Sequence, residues 1–115
     1  MSEATFQATR TATADGVALE IIGGGPFRNY SLRSILWNRV GVGAMDLILE
    51  VLDGDTAYEI EHIVGTAATQ YHWPNAATPY QMSFVIPQRI RFKTTGAVPG
   101  ITQSAVMVWA DSDVA

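Results

Sequence analysis

Polar and apolar residues alternate with a period of two along much of this chain, and short turn signals interrupt the alternation. From Thr5 to Thr13 the odd positions are Thr5, Gln7, Thr9, Thr11 and Thr13, set against Phe6, Ala8 and Ala12. That is the pattern of a half-buried strand on a Thr-rich, β-prone segment. Asp15-Gly16 supplies the positive φ values of a type I′ turn, which predicts a hairpin with Ala12 opposite Leu19 and Thr11 opposite Glu20. Arg10 opposite Ile21 is its one mismatch. Gly23-Gly24-Gly25-Pro26 ends the second arm, since no element interior tolerates that composition. Residues 1–4 precede the pattern and are expected to form a flexible arm.

A second hairpin is predicted around Asp53-Gly54. With those two residues as the turn, Val51 meets Thr56, Leu49 meets Tyr58, Leu47 meets Ile60 and Met45 meets His62. One face is then apolar and the other carries Asp46, Glu50, Glu59 and Glu61. Asp46 opposite Glu61 counts against this register, because like charges face to face weaken a ladder. A helix through Met45, Ile48, Leu49 and Leu52 also has an apolar stripe and is the competing reading.

Asn29 to Val40 reads as a strand because Gly41-Val42-Gly43 follows at once, although Leu32, Ile35, Leu36 and Arg39 also suit a helical turn. Tyr80, Met82, Phe84 and Ile86 alternate with Gln81, Ser83 and Val85, as do Ile90, Phe92 and Thr94 with Arg89, Arg91 and Lys93. Pro87 between them cannot donate to a ladder and marks an edge or a bulge. Thr102 to Ala110 is apolar on both sides after Ser104, the mark of a central strand. Across the loop from Gly96 to Ile101 it can place Ala105 against Phe92 and Met107 against Ile90. The product is an all-β chain of about eight short strands, an antiparallel β-sandwich, jelly-roll-like. Residues 1–115 are one domain, without repeat or linker.

Composition narrows the function classes. At 115 residues, 48% of them hydrophobic, the chain can bury a core of its own. No apolar run approaches a membrane span. There is no cysteine, which removes disulfides, thiolate metal sites and cysteine nucleophiles and fits folding in a reducing cytoplasm. Met1 to Arg10 lack a basic n-region and an apolar h-region, so no secretion signal is expected. Seven cations against eleven carboxylates leave a net charge of −4, the wrong sign for a phosphate-binding surface, so nucleic acid is not an expected partner.

Candidate chemistry is sparse. Gly41-Val42-Gly43 begins like a dinucleotide loop, but Asp46 stands at the third glycine position and no strand–helix alternation follows, so it reads as a turn. His62, on the expected inward face, and His72, in a loop, read as structural histidines, and Asp53-Gly54-Asp55 has too few oxygens for calcium. Asp46, Glu50, Glu59 and Glu61 could suggest a glycosidase carboxylate pair, but all four are placed on a solvated face. No catalytic residue, cofactor or metal is expected. Two surfaces remain. Arg89, Arg91 and Lys93 form a basic stripe, read either as a docking surface or as cross-strand partners of Glu59 and Glu61. The aperiodic stretch from Gly65 to Pro79 carries Tyr71, His72 and Trp73, which would form an exposed aromatic contact or else plug the end of the sandwich.

The run Ile90-Arg91-Phe92-Lys93-Thr94-Thr95-Gly96-Ala97, a Gly/Pro turn, then Ala105-Val106-Met107-Val108-Trp109 resembles the final hairpin of small β-sandwich virion proteins of tailed bacteriophages, capsid decoration proteins among them. The likeness spans roughly residues 44–110 and is one of pattern. It implies a jelly-roll-like fold, a homo-oligomer (trimers are frequent) on a lattice of major capsid protein, location in the virion after synthesis in the host cytoplasm, and no catalysis. On this reading the segment Ser2 to Thr11, with Thr5, Phe6 and Gln7, touches a neighbouring copy or the shell, as do Arg89, Arg91 and Lys93. The alternative is a carbohydrate-binding module that stacks glycans on Tyr71 and Trp73.

Overall fold

The computed structural model describes residues 5–12, 17–24, 29–85 and 87–111, with β1 and residue 111 described by backbone alone. It contains nine strands: β1 (Thr5–Ala12), β2 (Glu20–Gly23), β3 (Asn29–Val40), β4 (Met45–Asp53), β5 (Thr56–Thr66), β6 (Gln70–Trp73), β7 (Met82–Val85), β8 (Gln88–Thr95) and β9 (Thr102–Asp111). They form two antiparallel sheets, β1-β9-β3-β6 with β7 also on β3, and β2-β8-β4-β5. β6 and β7 lie along successive halves of β3, so they act as one interrupted edge strand and the chain fills eight strand positions. First then pairs with last, second with seventh, third with sixth and fourth with fifth. That is the wrap of a jelly roll, and Met45–Asp53 is strand rather than helix.

The sheets pack their inward faces together. Tyr30, Leu32, Ile35 and Trp37 of β3, Ala105 and Met107 of β9, and Trp73 of β6 meet Ile21, Leu47, Leu49, Ile90 and Phe92 from the other sheet. β9 is a central strand between β1 and β3, as its apolar run predicts, with Ala105 and Met107 in the core and Val106 and Val108 on the outer face.

Two predicted hairpins do not form. β1 pairs with β9 from Thr5↔Ala110 to Ala12↔Gln103, whereas β2 pairs with β8, so the arms expected to meet across Asp15-Gly16 belong to different sheets. That turn itself lies outside the described residues, as does the 1–4 arm. β8 and β9 also divide between the sheets, so Phe92 and Ile90 share the core with Ala105 and Met107 but do not pair with them along a ladder. The cause is the same in both cases. Eight consecutive β1–β9 pairs hold more hydrogen bonds than a short local hairpin, and the switch of sheets lets β2 turn Ile21 into the core.

The β4–β5 hairpin forms in a different register. Asp53 pairs with Thr56, so Gly54 and Asp55 are the turn, and Gly54 takes a φ of 63° at the position where a type II′ turn favours glycine. Val51 consequently meets Tyr58 rather than Thr56, a shift of two that keeps the faces. Between Leu49 and Glu50 the register slips by one, leaving Ile60 as the extra residue of a bulge. Beyond it Leu47 meets Ile63 and Ile48 meets His62, so His62 faces outward, not inward as predicted, and Asp46 does not face Glu61.

Candidate interaction surfaces

The outer face of the four-stranded sheet is charged. Glu20 stands opposite Lys93, and Glu50 opposite Arg91. Glu50 points outward as predicted, yet its side chain is only 4% exposed, because Arg91 and Lys93 close over it. Lys93 Nζ lies 3.2 Å from Glu50 Oε1, Arg91 also pairs with that oxygen, and Arg91 Nη1 reaches Glu20 Oε2 at 3.4 Å. The basic stripe is therefore matched within its own sheet, by Glu50 and Glu20 rather than by Glu59 and Glu61. Arg89, opposite Leu52, remains exposed.

Beside this network His62 bridges two carboxylates. Its Nε2 is 3.1 Å from Asp46 Oδ2 and its Nδ1 is 3.0 Å from Glu59 Oε1, while the Gly65 amide donates to Asp46 Oδ1 at 2.9 Å. The bond to Asp46 holds the imidazole pKa above its ordinary value. The Gly65 amide, then His62, hold the Asp46 carboxyl below its own. Among the described residues no group of three or more His, Asp or Glu could hold a metal ion.

Of the two readings of the stretch from Gly65 to Pro79, the exposed aromatic contact does not form, and Tyr71 and Trp73 turn into the sandwich. β5 runs into the stretch and β6 lies within it, with Ile35 opposite Trp73 and Trp37 opposite Tyr71. Trp73 is 1% exposed and Tyr71 6%, so of the three predicted contact aromatics only His72 faces out. Tyr71 stacks on Phe92 with ring centroids 5.3 Å apart and donates its hydroxyl to Glu61 Oε1 at 2.6 Å. Burial, reinforced by that bond, pushes the phenol well up. Asn75 Nδ2 donates to the same oxygen at 3.0 Å, and Asn75 Oδ1 accepts from the Ala77 and Thr78 amides. Glu61 is thus a clip between the edges of the two sheets, placed inward by the bulge at Ile60, and not the solvated carboxylate that period-two reading predicts. A glycan platform on Tyr71 and Trp73 has no exposed aromatic face to use.

The feature that sequence reading missed is one end of the sandwich. Val40 pairs with Thr102, Met45 with Thr66 and Asp46 with Thr95, which brings segments 41–44, 64–70 and 95–102 together. None of these segments contains a charged residue. Val40, Val42 and Val64 are 76%, 83% and 73% exposed there. Arg39, buried just beneath, donates from Nε to the Ala68 carbonyl at 2.8 Å and from Nη2 to the Thr66 carbonyl at 3.3 Å, and lies 5.7 Å from the Trp37 ring. Trp37 Nε1 donates to Gln103 Oε1, and Gln103 Nε2 to the Val17 carbonyl. The loops also pack on one another: a Cβ at Gly41, where φ is +108°, would lie 2.4 Å from the Gly100 carbonyl oxygen. This end is a braced apolar platform. The signal for it was present as three charge-free turn segments, but nothing in a linear pattern says that they converge.

Thr5, Phe6 and Gln7 lie in β1, an outer strand of the five-stranded sheet, laddered to Ala110, Trp109 and Val108. Thr5–Ala12 is thus strand, as its alternation predicts.

No family model and no curated protein matches the chain. Solved structures do resemble it. The Yersinia pseudotuberculosis-derived mitogen aligns with a TM-score of 0.51 and 17% identity over 99% of this chain and 89% of that one. A protein of the Bacillus endospore appendages, described as disulfide-linked pili, aligns with a TM-score of 0.51 and 14% identity over 94% and 87%. The virus-like particle of the Macrobrachium rosenbergii extra small virus aligns at 0.38 with 16% identity over 99% and 82%. At these identities the first two likenesses show the all-β sandwich fold and nothing narrower.

Proposed function

We propose that the chain is a non-enzymatic structural protein of a bacteriophage virion, a capsid decoration protein that binds the outer surface of the shell as a homo-oligomer and stabilises it. The observation that supports this reading most is the braced end bearing Val40, Val42 and Val64, whose segments 41–44, 64–70 and 95–102 contain no charged residue. Large side chains left this open on a rigid rim suit a contact surface, and loops without charge suit a flat apolar partner rather than a small polar substrate. The matched charges of Glu50, Arg91 and Lys93 move the proposed shell contact from the basic stripe to this end.

Co-sedimentation of the purified chain with shells of the major capsid protein from the same genome tests the proposal. The wild-type chain is expected to pellet with the shells and to raise their melting temperature. Val42→Asp and Val64→Asp, both at exposed positions, are expected to stay folded and remain in the supernatant. A wild-type chain that does not pellet overturns the role.

A further inference from the structure

The two outer faces of the sandwich differ in kind. The four-stranded sheet presents Glu20, Asp46, Glu50, Glu59, Arg89, Arg91 and Lys93. On the five-stranded sheet, β9 presents Thr102, Ser104, Val106 and Val108, and β3 presents Ser34, Leu36, Asn38 and Val40 at the positions opposite them. His72 of β6 stands beside Leu36, and Ser83 of β7 beside Ser31. Among the described residues this face has no carboxylate. Its one full cation, Arg33 at the β3 bulge, donates to Gln81.

Leu36 stands in the middle of this face, 49% exposed. Two residues further along the strand is a hollow of about 200 Å³ lined by Asn38, Arg39, Val40, Thr102, Gln103 and Ser104. A raised aliphatic side chain and a recess large enough for one stand side by side on a neutral surface.

We infer that this face stacks on the same face of a second copy of the chain, with Leu36 of each copy seated in the Asn38–Ser104 hollow of the other. Three observations select a second copy over another partner. Among the described residues this face sets no carboxylate against a carboxylate, and its one full cation, Arg33, is bonded to Gln81, so two copies meet there with less repulsion than a net charge of −4 imposes elsewhere. Knob and recess lie on one surface, which is what a two-fold, isologous contact requires. Four strand columns about 4.8 Å apart and about 30 Å long give about 600 Å² per copy, the lower bound for a stable pairing. The two-fold axis crosses the strands between Leu36 and the hollow, so facing strands run antiparallel in aligned sheet-on-sheet packing.

The inference deepens the assembly half of the proposed role, and its test uses the purified chain without shells, so failure of shell binding leaves it untouched. Sedimentation velocity over a concentration series is expected to show a monomer–dimer equilibrium for the wild type. Leu36→Glu and Val106→Glu are expected to weaken it at least about tenfold, and Arg89→Glu on the opposite face to leave it unchanged. As a second measurement, Gln70→Cys, opposite Asn38 on the edge strand and outside the hollow, accepts a nitroxide label in this cysteine-free chain, and dipolar broadening is expected between copies. A wild type that stays monomeric, a dimer indifferent to both glutamates, labels without coupling, or a closed trimer would each overturn it, since an isologous contact closes at two.

Discussion

Trp73→Ala is the sharpest test of how this sandwich is filled. Trp73 is 1% exposed, opposite Ile35 on the inward face of the five-stranded sheet. A tryptophan buries about 150–250 Å², which at about 25 cal/mol/Å² corresponds to about 4–6 kcal/mol. Truncations of large aromatics in cores cost about 3–5 kcal/mol, so about 4 kcal/mol is expected. For a chain of 115 residues, an unfolding entropy of about 2.1 cal/mol/K per residue converts that loss into a drop in Tm of about 17 °C. Thermal unfolding followed by circular dichroism reads the shift. Trp73→Phe restores most of the volume and also removes the indole N–H, which is buried here with no hydrogen-bond partner. Its cost is therefore about 1–2 kcal/mol, below what size alone implies. A Trp73→Ala protein melting within about 5 °C of the wild type would refute the reasoning, because a side chain so cheaply removed is not part of the core.

Three further perturbations read other parts of the structure. Glu50→Gln keeps the shape but leaves Arg91 and Lys93 side by side without their shared carboxylate, and is expected to cost about 2–3 kcal/mol; an unchanged urea midpoint refutes it. His62 has a raised pKa, so its contribution is present below the ordinary imidazole value and is lost as pH rises through the folded one. Asp46 has a lowered pKa, so its contribution is present above the ordinary carboxylate value and is lost as pH falls through the folded one. His62→Gln should therefore lower Tm most near pH 5, between about 3.9 and about 6.5, and a difference from the wild type that does not vary with pH would count against the bridge. Gly41→Ala forces a Cβ to 2.4 Å from a carbonyl oxygen at a φ of +108° and is expected to cost at least about 2 kcal/mol, whereas Gly54→Ala, with open space around it, should cost about 1 kcal/mol. Equal costs in chemical denaturation would contradict the close approach at Gly41.

Much of the fold was legible because alternation of side chains is a property of each strand alone. Thr5–Ala12 and Met45–Asp53 are strands for that reason, and in Met45–Asp53 the inward residues Leu47 and Leu49 are those the pattern marks. Which strand lies beside which was not legible, because Asp15-Gly16 advertises a local hairpin while the partner of β1 lies at the far end of the sequence. Bulges hid the rest: one extra residue at Arg33 or Ile60 reverses parity, which turned His62 outward and Glu61 inward. Trp73 shows a further limit. Aromatics in an aperiodic stretch look exposed until a short edge strand such as β6 aligns them with the core.

The ladder from Thr5↔Ala110 to Ala12↔Gln103 has a consequence for synthesis on the ribosome. β9 follows the other eight described strands in the sequence, yet it sits between β1 and β3, so the five-stranded sheet has no centre until β9 has been translated. β1 and β3 must wait through the translation of everything between, and closing so long a loop makes that step slow. The nascent chain is thus a natural client for holding chaperones, and a stalled or prematurely stopped product leaves two orphaned strand edges open to aggregation.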